Sequence, residues 1–247
     1  MSEMLYGRHS VHEALRAGRR RIRRLLLAEG IQPAPVLRQI QQLAESRRIP
    51  TQVVPKQALF EINPQHQGVA AEAGSYPYVE FEASLAAACS QAQPLVLALD
   101  CLQDPQNLGT LLRTAEAAGV ALVVMPERRQ AEVTPAVSHA SAGAVEHLQV
   151  AQVVNLRRAL EQMQQAGLFV YGLEHLPGSQ PLWQARLTGP TTIVVGSEGE
   201  GLRRLTRETC DALVDIPMYG RVDSLNAAVA GSLLLYEALR QRQVSRP

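Results

Sequence analysis

Aromatic residues, cysteine and lysine are scarce in this chain of 247 residues. Aromatics make up only 4% of the residues and apolar residues 46%, so the core must consist mainly of Ala, Val, Leu and Ile. The three cysteines, Cys89, Cys101 and Cys210, form no CxxC pair. A disulfide framework and a cysteine zinc site are therefore not expected, and a reducing cytoplasm is the expected compartment.

Long apolar segments are also missing. No run of about 18 uncharged apolar residues is present, which excludes a predicted transmembrane helix. The first residues do not resemble a signal peptide. The missing apolar span predicts no membrane partner, and the six histidines show no metal-ligand spacing, so we predict no metal site. Residues 196–199 read GSEG rather than GxSxG, which argues against a hydrolase.

Positive charge is concentrated at the start of the chain. Residues 1–75 carry a formal charge of +5 and residues 76–247 a charge of −4. Five arginines lie close together in the first part: Arg19, Arg20, Arg21, Arg23 and Arg24. Clustered arginine is typical of proteins that bind a phosphate backbone, although a solvated helix end is an alternative.

The hydrophobic pattern predicts two α/β domains. Residues 1–75 form a small one, with helices at 10–17 and 36–46 and strands at 22–28, 51–54 and 69–73. Residues 76–93 are a linker and a lead-in helix. In residues 94–247 we expect strands at 95–99, 120–125, 168–173, 191–195 and 212–216, and helices at 107–118, 156–165 and 224–242. This alternation predicts a parallel sheet covered by helices.

The loop after the first strand of the second domain carries two candidate site residues. Ligands of such sheets bind beyond the carboxyl ends of the strands. Asn107 and Arg113 follow strand 95–99, and we expect both to face one cleft. Alternatively, Asn107 caps a helix and Arg113 extends from a packed helix into solvent.

Two further strands end in candidate loops. The glycine-rich segment 196–201 matches neither a Walker motif nor GxGxxG. Its Glu198 would repel a phosphate but suits a cationic ligand. Ser224 and Asn226 follow strand 212–216, at the expected first turn of a helix, where capping is the alternative.

Together, the three loops resemble the three motifs of the SpoU (TrmH) family of SPOUT RNA ribose methyltransferases. The matching segments are 107–109 with Arg113 and Gly119, then 193–202, then 216–218 with 224–230. Residues 5–11 and 67–70 resemble the N-terminal domain of the members that act on bacterial large-subunit ribosomal RNA. The resemblance covers nearly the whole chain.

The resemblance implies an α/β catalytic domain with a trefoil knot and a small N-terminal α/β domain like ribosomal RNA-binding proteins. It also implies a homodimer whose site lies near the subunit interface, and S-adenosylmethionine as the cofactor. The implied active-site residues are Asn107, Arg113, Glu198, Ser224 and Asn226. The implied cofactor-binding residues are Gly196, Ile216, Met218 and Leu225.

The implied reaction is methylation of a ribose 2′-hydroxyl, and the implied target is a guanosine in 23S ribosomal RNA. DNA is not a substrate because it lacks that hydroxyl. A transfer RNA methyltransferase of the same family and a non-catalytic RNA-binding relative are the alternatives. A dehydrogenase is disfavoured, since the first strand of the second domain leads into no glycine fingerprint.

Overall fold

The chain forms two compact units in a computed structural model that describes residues 2–222 and 224–244. The first unit is Met1–Pro77 together with Glu132–His147, and the second is Tyr78–Ala131 together with Leu148–Pro247. The chain therefore crosses between the units three times. The strand–helix pattern gave no sign that Glu132–His147, here named the returning segment, groups with the first unit.

The helices and strands follow in chain order. Up to residue 77 they are β1 (Ser2–Tyr6), α1 (Arg8–Ala17), β2 (Ile22–Ala28), α2 (Pro35–Ser46), β3 (Thr51–Val54), α3 (Lys56–Ile62) and β4 (Val69–Gly74). Then come α4 (Phe81–Cys89), β5 (Leu95–Asp100), α5 (Pro105–Ala117) and β6 (Leu122–Pro126), and in the returning segment α6 (Pro135–Ala140) and a 3₁₀ turn (Ala144–His147). The remainder is β7 (Val150–Val153), α7 (Leu156–Gln165), β8 (Phe169–Leu173), β9 (Gln180–Pro181), a 3₁₀ turn (Leu182–Gln184), β10 (Thr191–Gly196), α8 (Arg204–Thr209), β11 (Ala212–Asp215) and α9 (Ala227–Val244).

The first unit is built on a four-stranded sheet with the order β1-β4-β2-β3. Strand β4 runs antiparallel to both neighbours, whereas β3 is parallel to β2. Helices α1 and α2 pack on one face and α3 on the other. The predicted strand at 22–28 is confirmed. Strand β1 was missed because its five residues are too few for a clear alternating pattern.

A buried ion pair attaches the returning segment to the rest of the first unit. The Arg20 side chain is fully buried and donates to Glu146 Oε2 at 2.9 Å and to Glu3 Oε2 at 2.8 Å. Ser138 Oγ donates to the other oxygen of Glu146 at 3.0 Å. The prediction that Arg20 binds RNA is therefore wrong, since its charge is neutralised inside the fold.

The second unit contains a seven-stranded parallel sheet with the order β7-β6-β5-β10-β8-β11-β9. Helices α4 and α7 pack on one face. Helix α9 packs against β10 and α5 on the other, where Gly231 of α9 lies close to Leu111 and Val195. The continuous apolar runs form strands that are buried on both faces of this sheet, as predicted.

The parallel α/β architecture predicted for the second domain is confirmed. Strand β7 and helix α8 were not predicted, because each is too short to show a period. The trefoil knot stays a prediction. Among the described residues, no helix combines the length and the apolar character needed to cross a bilayer.

Candidate active site

The candidate loops meet because of the strand order in the second unit. The chain starts this sheet at β5, moves outward to β6 and β7, and then crosses to β8 on the other side. Strand β10 later pairs with both β5 and β8. Ligands of open α/β sheets bind where the strand order reverses in this way. The carboxyl ends of β5, β8, β10 and β11 therefore surround one region.

Helix α5 begins earlier than predicted. Asp104 is its N-cap, and its carboxylate accepts hydrogen bonds from the backbone N–H groups of Gln106 at 3.2 Å and Asn107 at 3.1 Å. The alternative that Asn107 is the cap is therefore wrong. Since Asp104 caps the helix, the Asn107 side chain remains available for other contacts.

Helix α9 begins at Ala227, three residues later than predicted. Asn226 caps it, because its Oδ1 accepts from the backbone N–H groups of Ala228 at 3.0 Å and Val229 at 3.2 Å. The capping alternative is thus confirmed for Asn226. This cap also fixes the orientation of the amide, since the oxygen faces the helix and the nitrogen faces away.

Three side chains that are far apart along the chain form one hydrogen-bonded cluster, here named the amide–carboxylate cluster. The Nδ2 of Asn226 donates to Asn107 Oδ1 at 2.9 Å and to Glu198 Oε1 at 2.6 Å. The Nδ2 of Asn107 donates to the same oxygen of Glu198. The N-termini of α5 and α9 both lie at this carboxylate, and their dipoles favour its negative charge.

Glu198 lies on a tight turn that only glycine permits. Ser197 and Gly201 exchange two backbone hydrogen bonds of 3.1 Å. A Cβ on Gly196 would collide with the backbone of Gly201, so glycine is required where β10 enters this turn. Just beyond it, Arg203 binds the buried Asp100 with its backbone N–H at 2.9 Å and its Nε at 2.6 Å. These contacts hold the turn against the end of β5.

A cavity of about 500 Å³, here named the glycine-loop cavity, opens between the second and third loops. Its walls contain all four predicted cofactor-binding residues and three of the predicted active-site residues: Gly196, Ile216, Met218, Leu225, Glu198, Ser224 and Asn226. Sequence reasoning missed Glu174, His175 and Asp215 in the same walls. Glu174 and His175 directly follow strand 168–173, so the strand-end rule would have found them.

The glycine-loop cavity is acidic. Glu174, Glu198 and Asp215 line it, and its described lining residues include no lysine or arginine. Asp215 Oδ2 contacts His175 Nδ1 at 3.1 Å, whereas its buried Oδ1 has no hydrogen-bond partner. An unpaired buried acceptor is costly unless a ligand supplies a donor. The cavity therefore fits a cationic ligand that carries hydrogen-bond donors, and it disfavours one with several phosphates.

Arg113 does not join the amide–carboxylate cluster. It is exposed on α5 and has no hydrogen bond or ion pair with any described residue. It lies six positions after Asn107 on the helix, and six steps of about 100° turn its side chain about 120° away from Asn107 around the helix axis. The expected shared cleft for Asn107 and Arg113 is therefore not present within one chain.

Comparison with known proteins agrees with this arrangement of loops. The family described as SpoU rRNA Methylase matches residues 94–236, which is more than half of the chain. The chain belongs to this family. It is an RNA methyltransferase, and residues 4–79 match the family described as RNA 2′-O ribose methyltransferase substrate binding. The resemblance predicted from the three loops is thereby confirmed.

Two relatives of the SpoU family match nearly the whole chain, and a third matches about two thirds of it. The 23S rRNA (guanosine-2′-O-)-methyltransferase RlmB of Pseudomonas syringae is 43% identical over 99% of this chain and 98% of its own. The SpoU methyltransferase AviRb of Streptomyces viridochromogenes, solved with AdoMet, is 25% identical, with a TM-score of 0.81 over 99% of this chain and 92% of its own. A TrmH/SpoU tRNA-modifying enzyme of A. aeolicus is 27% identical, with a TM-score of 0.56 over 66% of this chain and 85% of its own.

Proposed function

We propose that this protein transfers the methyl group of S-adenosylmethionine to the 2′-hydroxyl of a guanosine ribose in 23S ribosomal RNA. The observation that carries the proposal is the amide–carboxylate cluster at the edge of an acidic cavity. The rRNA relative aligns over both units, whereas the tRNA-modifying enzyme covers only 66% of the chain. This difference in coverage favours rRNA over tRNA. Such a substrate would place the protein in the cytoplasm.

The glycine-loop cavity fits S-adenosylmethionine by charge and by shape. The cofactor carries a sulfonium and an ammonium group, and the lining carboxylates of Glu174, Glu198 and Asp215 complement these charges. Gly196, Gly199 and Gly201 line the cavity, and the backbone there can approach a ligand closely because these residues have no side chains. When bound, the cofactor supplies an electrophilic methyl group with a neutral leaving group.

The chain's own residues have the tasks of orientation and proton removal. Asn107 and Asn226 together hold Oε1 of Glu198, so the carboxylate is fixed before the substrate arrives. Fixed polar groups of this kind cost no reorganisation during the reaction. Ser224, in the wall of the glycine-loop cavity, would orient the ribose. A ribose hydroxyl is weakly acidic, so its proton must pass to a positioned acceptor as the new bond forms.

The active form is proposed to be a homodimer in which Arg113 completes the active site. Val229, Leu233 and Tyr236 are 46%, 42% and 51% exposed and form an apolar stripe along α9. Thr114 of α5 is bonded to Ser232 of α9 at 2.9 Å, which places Arg113 beside this stripe. An exposed apolar stripe favours association with another protein surface, here a second copy. In that dimer Arg113 would bind a phosphate or stabilise the developing oxyanion. It would not act as a base, because a guanidinium stays protonated and so cannot accept a proton.

The first unit is proposed to bind the RNA backbone through a groove of about 590 Å³ that contains four arginines: Arg21, Arg23, Arg47 and Arg48. Two of these were predicted and two were missed. Arg24 is exposed beside the groove residues and pairs with Glu72, as Arg23 does. Exposed pairs of this kind are weak and leave both cations available for phosphate. Arg19 instead donates to Pro77 O at 3.0 Å, which gives it a structural role.

Labelled methyl transfer to 23S ribosomal RNA, followed by mapping of the modified ribose, tests the proposal. We expect Arg113→Ala to reduce transfer by at least about 10²-fold, the usual effect of losing a preorganised charge, while S-adenosylmethionine binding stays unchanged. Arg158→Ala is the matched control, since Arg158 is exposed on α7, on the opposite face of the sheet. Near-normal transfer by Arg113→Ala would refute its role, and methylation of tRNA alone would favour the alternative substrate.

A further inference from the structure

A second cavity, here named the arginine cavity, lies on the other side of the turn that carries Glu198. Its volume is about 390 Å³, within the range of about 300–1,000 Å³ typical of ligand pockets. Ser197 and Glu198 line both cavities, so the turn is a common wall. A molecule in the arginine cavity would therefore lie next to the amide–carboxylate cluster without occupying the proposed cofactor space.

The two cavities differ in charge. The arginine cavity contains Arg129 and Arg203, whereas the described lining of the glycine-loop cavity contains no cation. Arg203 is already neutralised by the buried Asp100. Arg129 is exposed and has no hydrogen bond or ion pair with any described residue. Arg129 is thus the available cation beside the cluster.

The backbone holds Arg129 in a conformation that glycine would adopt more easily. Its φ is 60°, and Cys101 across the cavity has a φ of 66°. The left-handed region is unfavourable for residues with a Cβ, and such residues persist where the surrounding contacts enforce them, often at functional sites. Here an arginine occupies a position where glycine would be less strained.

The enforcing contacts connect the loops that follow β5 and β6. The side-chain amide of Gln130 accepts from Leu102 N at 2.8 Å and donates to Leu102 O at 2.8 Å. The backbone N–H of Ala131 adds a third bond to Leu102 O at 3.0 Å. This clamp fixes the residue next to Arg129, so the guanidinium is presented from a rigid loop.

The remaining lining groups favour a nucleotide over a simple anion. Glu198 and Glu200 also line the cavity, and their carboxylates would repel a free phosphate or sulfate. They would accept hydrogen bonds from ribose hydroxyls or base N–H groups. The Asp104 carboxylate is engaged as the cap of α5. One available cation among several acceptors matches a ligand with one phosphate and many donors.

We propose that the arginine cavity holds the nucleotide that is methylated and that Arg129 binds a phosphate of that nucleotide. This inference rests on the proposed function. The phosphate and base of the nucleotide would then lie on the arginine-cavity side of the Glu198 turn, while its ribose would reach the amide–carboxylate cluster and Ser224 at the edge of the glycine-loop cavity, where the methyl donor lies. Arg129 is a substrate-binding residue in this arrangement, and it acts on RNA affinity rather than on the chemical step.

The test compares Arg129→Gly with Arg128→Gly in the full-length protein. Glycine at position 129 relieves the positive φ, so the melting temperature should not fall and unfolding cannot explain a loss of activity. Arg128 is the matched control, since it is exposed on the same loop but does not line the cavity. The readouts are KM and kcat for methylation of 23S ribosomal RNA and calorimetric binding of S-adenosylmethionine.

For Arg129→Gly we expect KM for RNA to rise about tenfold, the effect of losing one charged hydrogen bond, with kcat and cofactor affinity unchanged. The slope of log Kd for RNA against log salt should fall by about one. Arg129→Lys should recover part of the affinity, and Arg128→Gly should change KM less than about twofold.

The outcomes separate this inference from the proposed function. If the wild-type protein methylates RNA and Arg129→Gly keeps the wild-type KM, the placement of the nucleotide is wrong while the proposed function stands. A fall in kcat or in cofactor affinity at constant KM would also overturn the placement. If the wild-type protein transfers no methyl group to any RNA, both proposals fail.

Discussion

Asn226 is the residue on which the candidate site depends most, because it serves a helix and a cluster at once. Its oxygen caps α9 and its nitrogen binds Asn107 and Glu198. The same amide therefore connects the position of a helix to the position of a carboxylate. A substitution at 226 therefore removes both the helix cap and the contacts with Asn107 and Glu198, unless the new side chain keeps either the oxygen or the nitrogen.

Asn226→Asp separates the two functions. An aspartate keeps the oxygen that caps α9, but it loses both donors and places a second carboxylate beside Glu198. We expect the melting temperature to stay within a few degrees and kcat/KM for methyl transfer to fall by about 10²-fold or more. Asn226→Ala should lose the cap as well, at a cost of about 1 kcal/mol in the free energy of unfolding. Wild-type activity in Asn226→Asp would show that the cluster does not contribute to catalysis.

Individual site residues were predictable where they lie between an apolar strand and the following helix, or in the first turn of that helix. Asn107, Glu198 and Asn226 were identified because each lies in such a segment and matches a family motif. Asp215 was missed because the predicted strand ran one residue beyond it, to 216, whereas it is the last residue of β11, and Arg129 was missed because the loop after β6 resembled no motif. The burial of Arg20 was not predictable, since nothing in a run of arginines shows which one faces inward.

At the scale of elements, the returning segment depends on a buried ion pair. Helix α6 has six residues and is followed by a four-residue 3₁₀ turn, so neither is stable alone. The buried Arg20 and Glu146 connect this turn to the loop before β2. Tyr76 adds a hydrogen bond to Val145 O at 3.0 Å, and burial raises the pKa of its hydroxyl to about 12, which keeps it a neutral donor.

Breaking this pair should be more harmful than removing it. Arg20→Met leaves the Glu146 carboxylate buried without its main cation, which typically costs about 3–5 kcal/mol. The double variant Arg20→Met with Glu146→Leu removes both charges and should be less destabilised than Arg20→Met alone. Urea unfolding of the wild type, of the single variants Arg20→Met and Glu146→Leu, and of the double variant measures the difference. If the double variant shows the sum of the two single losses, the two charges are not coupled.

At the scale of the molecule, the path of the chain makes the two units inseparable by simple truncation. Removing residues 1–75 would expose the surface of the returning segment that packs on α1 and β1. Such a deletion is therefore not a test of RNA binding by the first unit alone. Point substitutions in the arginine groove leave the fold intact and are the better approach.

The return of the chain also makes the stability of the first unit depend on pH. Glu13 of α1 accepts from His147 Nε2 and from His12 Nδ1, both at 2.7 Å. Burial alone would raise the pKa of the Glu13 carboxyl, but the hydrogen bonds from His147 and His12 outweigh it and lower the pKa below its ordinary value of 4.5. The ionised carboxylate is therefore favoured in the folded state.

A carboxyl with a lowered folded pKa contributes stability that is complete above its unfolded pKa and is lost as the pH falls through the folded value. We expect Glu13→Gln to lower the free energy of unfolding by about 1 kcal/mol at pH 6 to 7. This difference should shrink below pH 4.5. Denaturant unfolding of both proteins across this range is the measurement. A difference that stays constant down to pH 3 would contradict the assignment.

The sequence by itself determined the class of the second domain, the order of its apolar strands and the identity of three polar residues that meet. These properties are local, because apolar runs, strand ends and motifs are written in neighbouring residues. The tertiary structure decided which charges are buried, that Arg113 lies apart from the cluster within one chain, and that residues 132–147 rejoin the first unit. Those properties depend on contacts between residues about a hundred positions apart, and such contacts follow from the packing of the whole fold rather than from any local pattern.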